Sequence, residues 1–422
     1  MTVFPTPLGR TIAVHVLGVT LCSALLGAPA LAQTTRAEAI DQQRRDKRAR
    51  LWPEYESPLV RQANDLVERG FREGIEDGRG ANGPQVVLGG MRSGHGMSLG
   101  GGYRKTDIWA ERVGVRGTAR MTVNEAYMVD GRVDFQGLEF DRGFLNLYGK
   151  YEHSPRMDFY GLGPFSQKED RTSYLLEDYA LDVQFGVAFA NNWRVGLTGG
   201  NVLVKTGVGR RPGYPSTSDS FTPQQAPGLG LGDLDFSRLG WFLAFDNRDM
   251  PSGTRKGGVY GTRWRGYWDH TQDLFNFKQA DFEFQQFIPY KNESRVIALR
   301  GAATLSWQAG GQLVPVFFMP TIGGNDDLRS FARYRYHDNH SVFMSAEHRW
   351  YVFRGLDMAA FVDAGKVIPR KADLDFSELR MSAGVGFRTR LRDAVIMRTD
   401  VAFGDEGWRF IWTFSDIFKI KY

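Results

Sequence analysis

Ile322-Gly323-Gly324-Asn325-Asp326-Asp327-Leu328-Arg329-Ser330-Phe331 is followed downstream by Phe361-Val362-Asp363-Ala364-Gly365. In the first motif an arginine sits on a Gly-rich loop. In the second an acid sits on a strand-like run two elements later. Between them lie another strand-like run, containing Glu347, and a tight turn at Arg354-Gly355. A guanidinium can bind a carboxylate through two parallel hydrogen bonds, and the strand-like run that carries the acid is part of a wall. What kind of wall it is follows from the residues on either side.

From Pro84 onward the hydrophobic period is two. Leu181, Val183, Phe185, Val187 and Phe189 alternate with Asp182, Gln184, Gly186 and Ala188. Ile297, Leu299, Ala303, Leu305 and Trp307 alternate with Ala298, Arg300, Thr304 and Ser306. Leu379, Met381, Val385 and Phe387 alternate with Arg380, Ser382, Gly384 and Arg388, and Trp408, Phe410, Trp412 and Phe414 with Arg409, Thr413 and Ser415. Each run is a strand with one apolar face and one polar or small face. A soluble sandwich shares this alternation, but its apolar face is richer in Val and Ile and its strands are shorter. Long strands with aromatics near their ends favour a membrane barrel. Mean hydropathy is −0.36. A barrel reaches such a value because its lipid-facing and lumen-facing residues cancel in any window. Aromatic content of 13% and 50 glycines, both high against ordinary usage, fit the same architecture.

The strand count tests the barrel. Five strands are expected after the arginine loop: Ser341–Phe353, Leu356–Lys366, Glu378–Leu391, Val395–Gly404 and Gly407–Phe418. The turns between them alternate: Arg354-Gly355 is tight, Val367 to Ser377 long, Arg392-Asp393 tight. Bacterial barrels have short periplasmic turns and longer outer loops, so the arginine loop, Gly310 to His340, starts from the extracellular side. Before it, the clear strands are Tyr174–Ala190, Trp193–Gly207, Phe236–Asp246, Gly258–His270, Lys278–Tyr290 and Arg295–Gln308. Upstream are Phe144–Ser154, Tyr127–Phe140, Val113–Val123, Met97–Thr106 and the weaker Gln85–Met91. A periplasmic N-terminus needs an odd number before an outer loop, so Gln85–Met91 is counted. The expectation is an all-β, antiparallel transmembrane barrel of sixteen strands over residues 84–422.

Residues 1–32 are expected to be a cleaved signal peptide: Arg10 is the positive n-region, Thr11 to Leu26 is mostly apolar, and Ala30-Leu31-Ala32 is the cleavage site. Cys22, the single cysteine, leaves with it, which excludes disulfides and Cys–metal sites from the mature chain. Residues 33–83 are expected to be a periplasmic linker. Its charge-dense run from Arg36 to Leu51 reads as a solvated face. After it, Ser57-Pro58 starts a short helix carrying Leu59, Ala63, Leu66 and Val67, which Gly70 ends. The formal charge of +5 is only a mild basic bias.

These motifs resemble those of BamA/TamA-like outer-membrane barrels, the bacterial surface antigen superfamily. The resemblance covers Pro84 to Tyr422, is strongest after Thr321, and extends to Phe159-Tyr160-Gly161-Leu162-Gly163-Pro164 on an upstream loop. It is a short form, lacking room for the full periplasmic repeat domains of larger members. The resemblance implies that the long extracellular loop folds back into the barrel, where Arg329 pairs with Asp363 and with Glu347. Phe331, Phe361 and Gly365 complete that loop lock. Relatives usually carry Gly where this chain has Ser330. The period places Phe343, Ser345, Glu347 and Arg349 on one face, and Asp363 must also face inward, because a carboxylate facing lipid is costly. Trp408, Phe414, Phe418 and terminal Tyr422 share parity and resemble the C-terminal signal read by the barrel assembly machinery. The alternative is a plain interfacial aromatic belt.

The resemblance implies a role in inserting or translocating proteins at the outer membrane, with outer-membrane lipid, the assembly machinery and unfolded outer-membrane or secreted clients as partners. The alternative is a passive, anion-leaning channel or a structural barrel, its lumen lined by Arg300, Arg380, Arg388, Arg390, Arg398 and Arg409. Enzymatic activity is not expected. His153-Ser154 and His340-Ser341 are adjacent, so they face opposite sides of a strand, and no nucleophile motif stands out. Asp326-Asp327 is a weak calcium candidate, since calcium takes six or more oxygens. No cofactor, metal or nucleic-acid partner is expected.

Overall fold

The structure is a computed structural model that describes residues 82–414, except 90, 93–95, 139–141, 191, 251–252, 292, 354 and 392–393. The expected signal peptide and helical linker, and Phe418 and Tyr422, lie outside the described residues. Among the described residues no helix is long and apolar enough to cross a membrane, and the long elements are strands.

Sixteen strands form one antiparallel sheet in chain order. They are β1 (Gly83–Leu88), β2 (Ser98–Ile108), β3 (Val113–Thr122), β4 (Tyr127–Gly137), β5 (Gly143–Phe159), β6 (Thr172–Phe189), β7 (Trp193–Val208), β8 (Asp233–Asp246), β9 (Gly257–Asp269), β10 (Phe277–Tyr290) and β11 (Arg295–Gln308). After the long loop come β14 (His340–Phe353), β15 (Leu356–Ile368), β16 (Arg380–Leu391), β17 (Ala394–Gly404) and β18 (Gly407–Thr413). The loop itself carries a two-residue ladder, β12 (Thr321–Ile322) with β13 (Tyr336–His337). The expected sixteen strands are therefore present, and β11 has the expected bounds. Among strand ends expected within the described residues, the largest boundary difference is at β5, which runs on to Phe159 rather than stopping at Ser154. A register shift between Ser154 and Met157 carries the pairing past Pro155.

The alternation sets which face meets lipid. Leu181, Val183, Phe185 and Val187 on β6 are exposed on the outer surface, with Leu147 and Leu145 of β5 opposite Val183 and Phe185, while the alternating Asp182 and Gln184 share the lumen face with Tyr148 and Asn146. The short connections from β6 to β7, from β10 to β11 and from β14 to β15 gather at one end. The long ones, residues 160–171, 209–232, 309–339 and 369–379, gather at the other. By the barrel rule the first end is periplasmic and the second extracellular.

The sheet is curled. In a flat sheet β6 and β17 would lie nine strand spacings apart, roughly 40 Å. Yet Lys168, between β5 and β6, donates to the Glu406 carbonyl in the β17–β18 turn at 3.1 Å, and Arg380 on β16 donates to the Pro164 carbonyl at 3.1 Å. Among the described residues β1 and β18 end the sheet without pairing to each other. The largest apolar cluster lies inside this curl, on β5–β8, where Met157, Phe159, Leu176, Val204, Leu234 and Phe236 meet Val316 of the long loop.

Candidate functional site

Gly323 and Gly324 both have positive φ, 114° and 138°, and turn the long loop sharply at its tip. A Cβ on Gly323 would collide with the Ala332 carbonyl. Asp327 Oδ1 accepts the Gly323 N–H at 2.8 Å and tightens the turn, so this acid serves the loop's own backbone. Leu328 and Phe331 are fully buried with Ile322, Tyr336 and Val367. That apolar knot sets Arg329 against the inner wall.

Arg329 is fully buried. Its Nε donates to Asp363 Oδ2 and its Nη2 to Asp363 Oδ1, both at 2.8 Å, which is a two-pronged pair. Nη1 donates to Glu347 Oε2 at 3.0 Å and lies 3.5 Å from Asp400 Oδ2. The guanidinium lies 3.2 Å from the centre of the Phe361 ring. Ser345 Oγ donates to Asp363 Oδ1 at 2.7 Å. Glu347 is shared: Arg388 reaches it at 2.7 Å and Arg349 at 2.7 Å. Asp400 is shared likewise, with Arg388 Nη1 at 2.5 Å. Glu347, Asp363, Asp400, Arg388 and Arg398 are, like Arg329, fully buried. A buried charge is tolerated only when paired and hydrogen-bonded, and removing one partner typically costs about 3–5 kcal/mol.

The wall holds the tip's backbone too. Arg398 Nη2 donates to the Asn325 carbonyl at 2.5 Å, and Arg300 Nη1 to the Asp326 carbonyl at 2.7 Å. Arg409, on the last strand, donates to the carbonyls of Arg329 and Phe331. Ser382 Oγ accepts the Ser330 N–H at 2.8 Å. Six strands, β11 and β14 to β18, therefore grip one loop tip. Ser330 is not among the residues of positive φ, so the Gly-to-Ser departure needs no unusual backbone. Its hydroxyl faces Gly404, where a Cβ would collide with Ser330 Oγ.

The structure brings Arg329, Glu347, Phe361 and Asp363 together, with Phe331 in the adjoining apolar knot. Gly365 is a point of close approach: a Cβ there would sit 2.7 Å from the Val342 carbonyl and 3.4 Å from Ile322 Cδ1 of the loop. Trp408 is exposed on the outer face of β18, 67% accessible, and Phe414 packs edge-on against Trp412. Sequence reasoning missed Asp400 and the second role of Arg388. Their register carried a signal: Arg388 and Arg398 are directly opposite across β16 and β17. Like charges so placed repel unless acids intervene.

The expectation of a basic, anion-favouring wall is corrected. The side chains of Arg300, Arg380, Arg388, Arg390, Arg398 and Arg409 are all engaged. Arg300 forks onto Glu283, at 2.6 Å for the closer contact, as well as binding the loop. Arg390 reaches Asp357 at 3.0 Å and Arg380 the Pro164 carbonyl. The physical reason is desolvation: once the loop lies against the wall, each guanidinium it covers must bind a carboxylate or a carbonyl.

The upstream Tyr160-Gly161-Leu162-Gly163-Pro164 element docks on the same loop. Leu162 forms a parallel bridge to His337, and the Gly163 N–H donates to the His337 carbonyl at 2.9 Å. Arg335 donates to Ser166 Oγ at 2.9 Å and to Glu406 Oε1 at 2.6 Å, tying three outer connections together. Beside it Asp338 is 4% exposed. Burial pushes its carboxyl up to about 6, against the lowering effect of the Asn339 N–H and with added repulsion from Asp373.

A curled sixteen-stranded sheet whose lumen holds an arginine-locked outer loop defines an outer-membrane barrel of the loop-plugged kind. The model of the Omp85 superfamily domain matches residues 118–414, and the chain belongs to that superfamily. Among solved structures, BamA from Haemophilus ducreyi lacking POTRA domains 1–3 matches with a TM-score of 0.58 at 17% identity, over 84% of this chain and 76% of that one. That likeness is one of fold. CdiB from Acinetobacter baumannii (TM-score 0.46, 10% identity) and CdiB from Escherichia coli (0.49, 13%) each match 78% of this chain. The chain spans 58% and 61% of those two lengths. No curated protein matches.

Proposed function

We propose that this chain assists the insertion or translocation of proteins at the outer membrane, with unfolded outer-membrane or secreted proteins as clients. One observation carries the reading: a loop tip held by side chains of six strands lies inside a sheet whose first and last described strands are not paired to each other. A solute pore needs an open, weakly binding lumen, and here the loop tip is bound tightly against the inner wall. We assign Arg329, Glu347 and Asp363 the role of holding the loop inside the barrel. The Trp408 and Phe414 end of the chain is assigned to recognition by the assembly machinery, and export to a signal peptide over residues 1–32. The activity involves no bond-making chemistry by the chain itself.

The test is reconstitution. Lipid vesicles with and without the purified chain receive a urea-unfolded client barrel, and the protease-resistant, folded client is measured over time. Faster folding with the wild type than with empty vesicles, reduced by Arg329→Ala, is the expected result. Equal rates in all three would end the assembly reading.

A further inference from the structure

Two of the long outer connections pack on the plugging loop. Residues 160–171 reach it through Leu162 and Gly163, and residues 209–232 through the Pro227 carbonyl, which accepts the Val316 N–H at 2.9 Å. Residues 369–379, between β15 and β16, turn the other way. On β15, Lys366 shares the outward parity of Val362, which is 45% exposed, yet Lys366 is buried. This connection covers it: the Lys366 ammonium donates to Asp375 Oδ1 and, at 3.1 Å, to the Ser377 carbonyl. The segment is therefore folded down over the lipid-facing side of the wall, at its outer rim.

Near its start, Lys371 reaches across to β11, where its ammonium lies 4.0 Å from the centre of the Trp307 ring. Trp307 ends a stack of indoles on the outer face. It lies 5.5 Å from Trp264 of β9, and Trp264 lies 5.9 Å from Trp241 of β8. Ala280 of β10, between Trp264 and Leu305 in register, is fully buried although it faces outward. Directly opposite Trp307 on β10 is Lys278, exposed on that same face. Two ammonium groups thus flank one indole. The acids nearby are already engaged, Asp373 by Arg370 at 3.0 Å and Asp375 by Lys366. Among the described residues neither Lys278 nor Lys371 forms an ion pair. Farther along the same segment, Leu374 and Phe376 are 47% and 70% exposed.

We propose that residues 369–379, with Lys278 and the Trp307 end of the stack, seat a phosphorylated lipid of the outer leaflet. Lys278 and Lys371 bind its phosphate, and Trp307, Leu374 and Phe376 bear on its acyl chains. Charge selects the phosphate, since an ammonium binds it as a point charge. The apolar neighbours select a lipid over a phosphate in solution, because cations at the rim and open apolar side chains beside them match a headgroup and its tails.

The experiment is native mass spectrometry of the full chain in detergent, titrated with bisphosphorylated lipid A and, separately, with its dephosphorylated form. Folding of each variant is verified by its heat-dependent shift on a gel. The wild type retains the phosphorylated lipid several-fold more tightly than the dephosphorylated one. Lys278→Gln combined with Lys371→Gln removes most of that preference. Lys105→Gln, an exposed lysine on the outward face of β2 near the periplasmic end, leaves it unchanged. Equal retention of the two lipids by the wild type reduces the segment to a plain interfacial anchor and overturns the proposal. So does a double variant that keeps the preference, or an equal loss in Lys105→Gln. No client protein enters the assay, so it fails or succeeds independently of the assembly reading.

Discussion

The long loop is held twice, by opposite kinds of physics. Its first part, around Val316 to Phe318, lies on an apolar cushion: Phe236 meets Phe317 and Phe318 edge-on at 6.2 and 5.2 Å, and Tyr267 and Phe277 support Phe318. Its second part, Asn325 to Phe331, hangs in a lattice of forked ion pairs and arginine-to-carbonyl bonds. Apolar contact is non-directional and roughly proportional to buried area. A forked pair fixes distance and angle together. The cushion brings the loop inside, and the lattice selects one position for it. Conservative substitutions should therefore be tolerated in the cushion and not in the lattice.

The strongest way to break this contrast is Arg329→Ala. It strands Asp363 and Glu347 in a dry site, and a loss of about 3–5 kcal/mol is expected in urea unfolding from lipid. Arg329→Lys keeps the charge and most of the length but loses the fork, and should still lose about 1.5–3 kcal/mol. If lysine restores wild-type stability, charge alone holds the tip and the argument from direction is wrong. Phe236→Leu is the matched test in the cushion. A cost below about 1.5 kcal/mol is expected there, with the loop still resistant to added protease. Protease entry in this variant, comparable to that in Arg329→Ala, would show that the cushion also sets position.

The smallest effect concerns pH. The Asp338 carboxyl has its folded pKa raised to about 6, above the ordinary value of about 3.9. The folded state therefore binds this proton more readily than the unfolded state does. Asp338 weakens the fold above its folded pKa, and that burden is relieved as pH falls through 6 toward the unfolded value. Asp338→Asn should raise the melting temperature more at pH 7.5 than at pH 5. The difference is on the order of 1 kcal/mol. An equal effect at both pH values would place the carboxyl in water.

Much of the wall was legible because a barrel strand must alternate. Leu181 to Phe189 could be nothing but a two-faced strand once its length was noticed, and turn lengths then fixed which end was which. The loop's partners on β14 and β15 were legible through motif resemblance, with parity placing Glu347 and Asp363 on the lumen side. Asp400 was not, because nothing local marks one inward acid among many. Its importance arises only from register, which sets Arg388 opposite Arg398 and leaves both needing a carboxylate. The arginines misread as a free basic wall show the same limit. Periodicity reports which way a side chain faces, but not what is folded against it. The Arg255–Asp357 pair was invisible for that reason too: the two residues lie far apart in sequence and meet only across the curled sheet.

Arg409 gives the loop lock a place in time. The loop occupies residues 309–339, and apart from Arg300 on β11 its tip is gripped from the rest of the chain: by Glu347, then Asp363, Ser382, Arg398 and finally Arg409 on β18. Whatever the order in which the wall forms, each of these strands adds one fastening to the same segment. The last arrives only with the final hairpin. A finished lock is thus a record that every later strand has come home, so a truncated or mispaired wall carries a plug that is visibly loose.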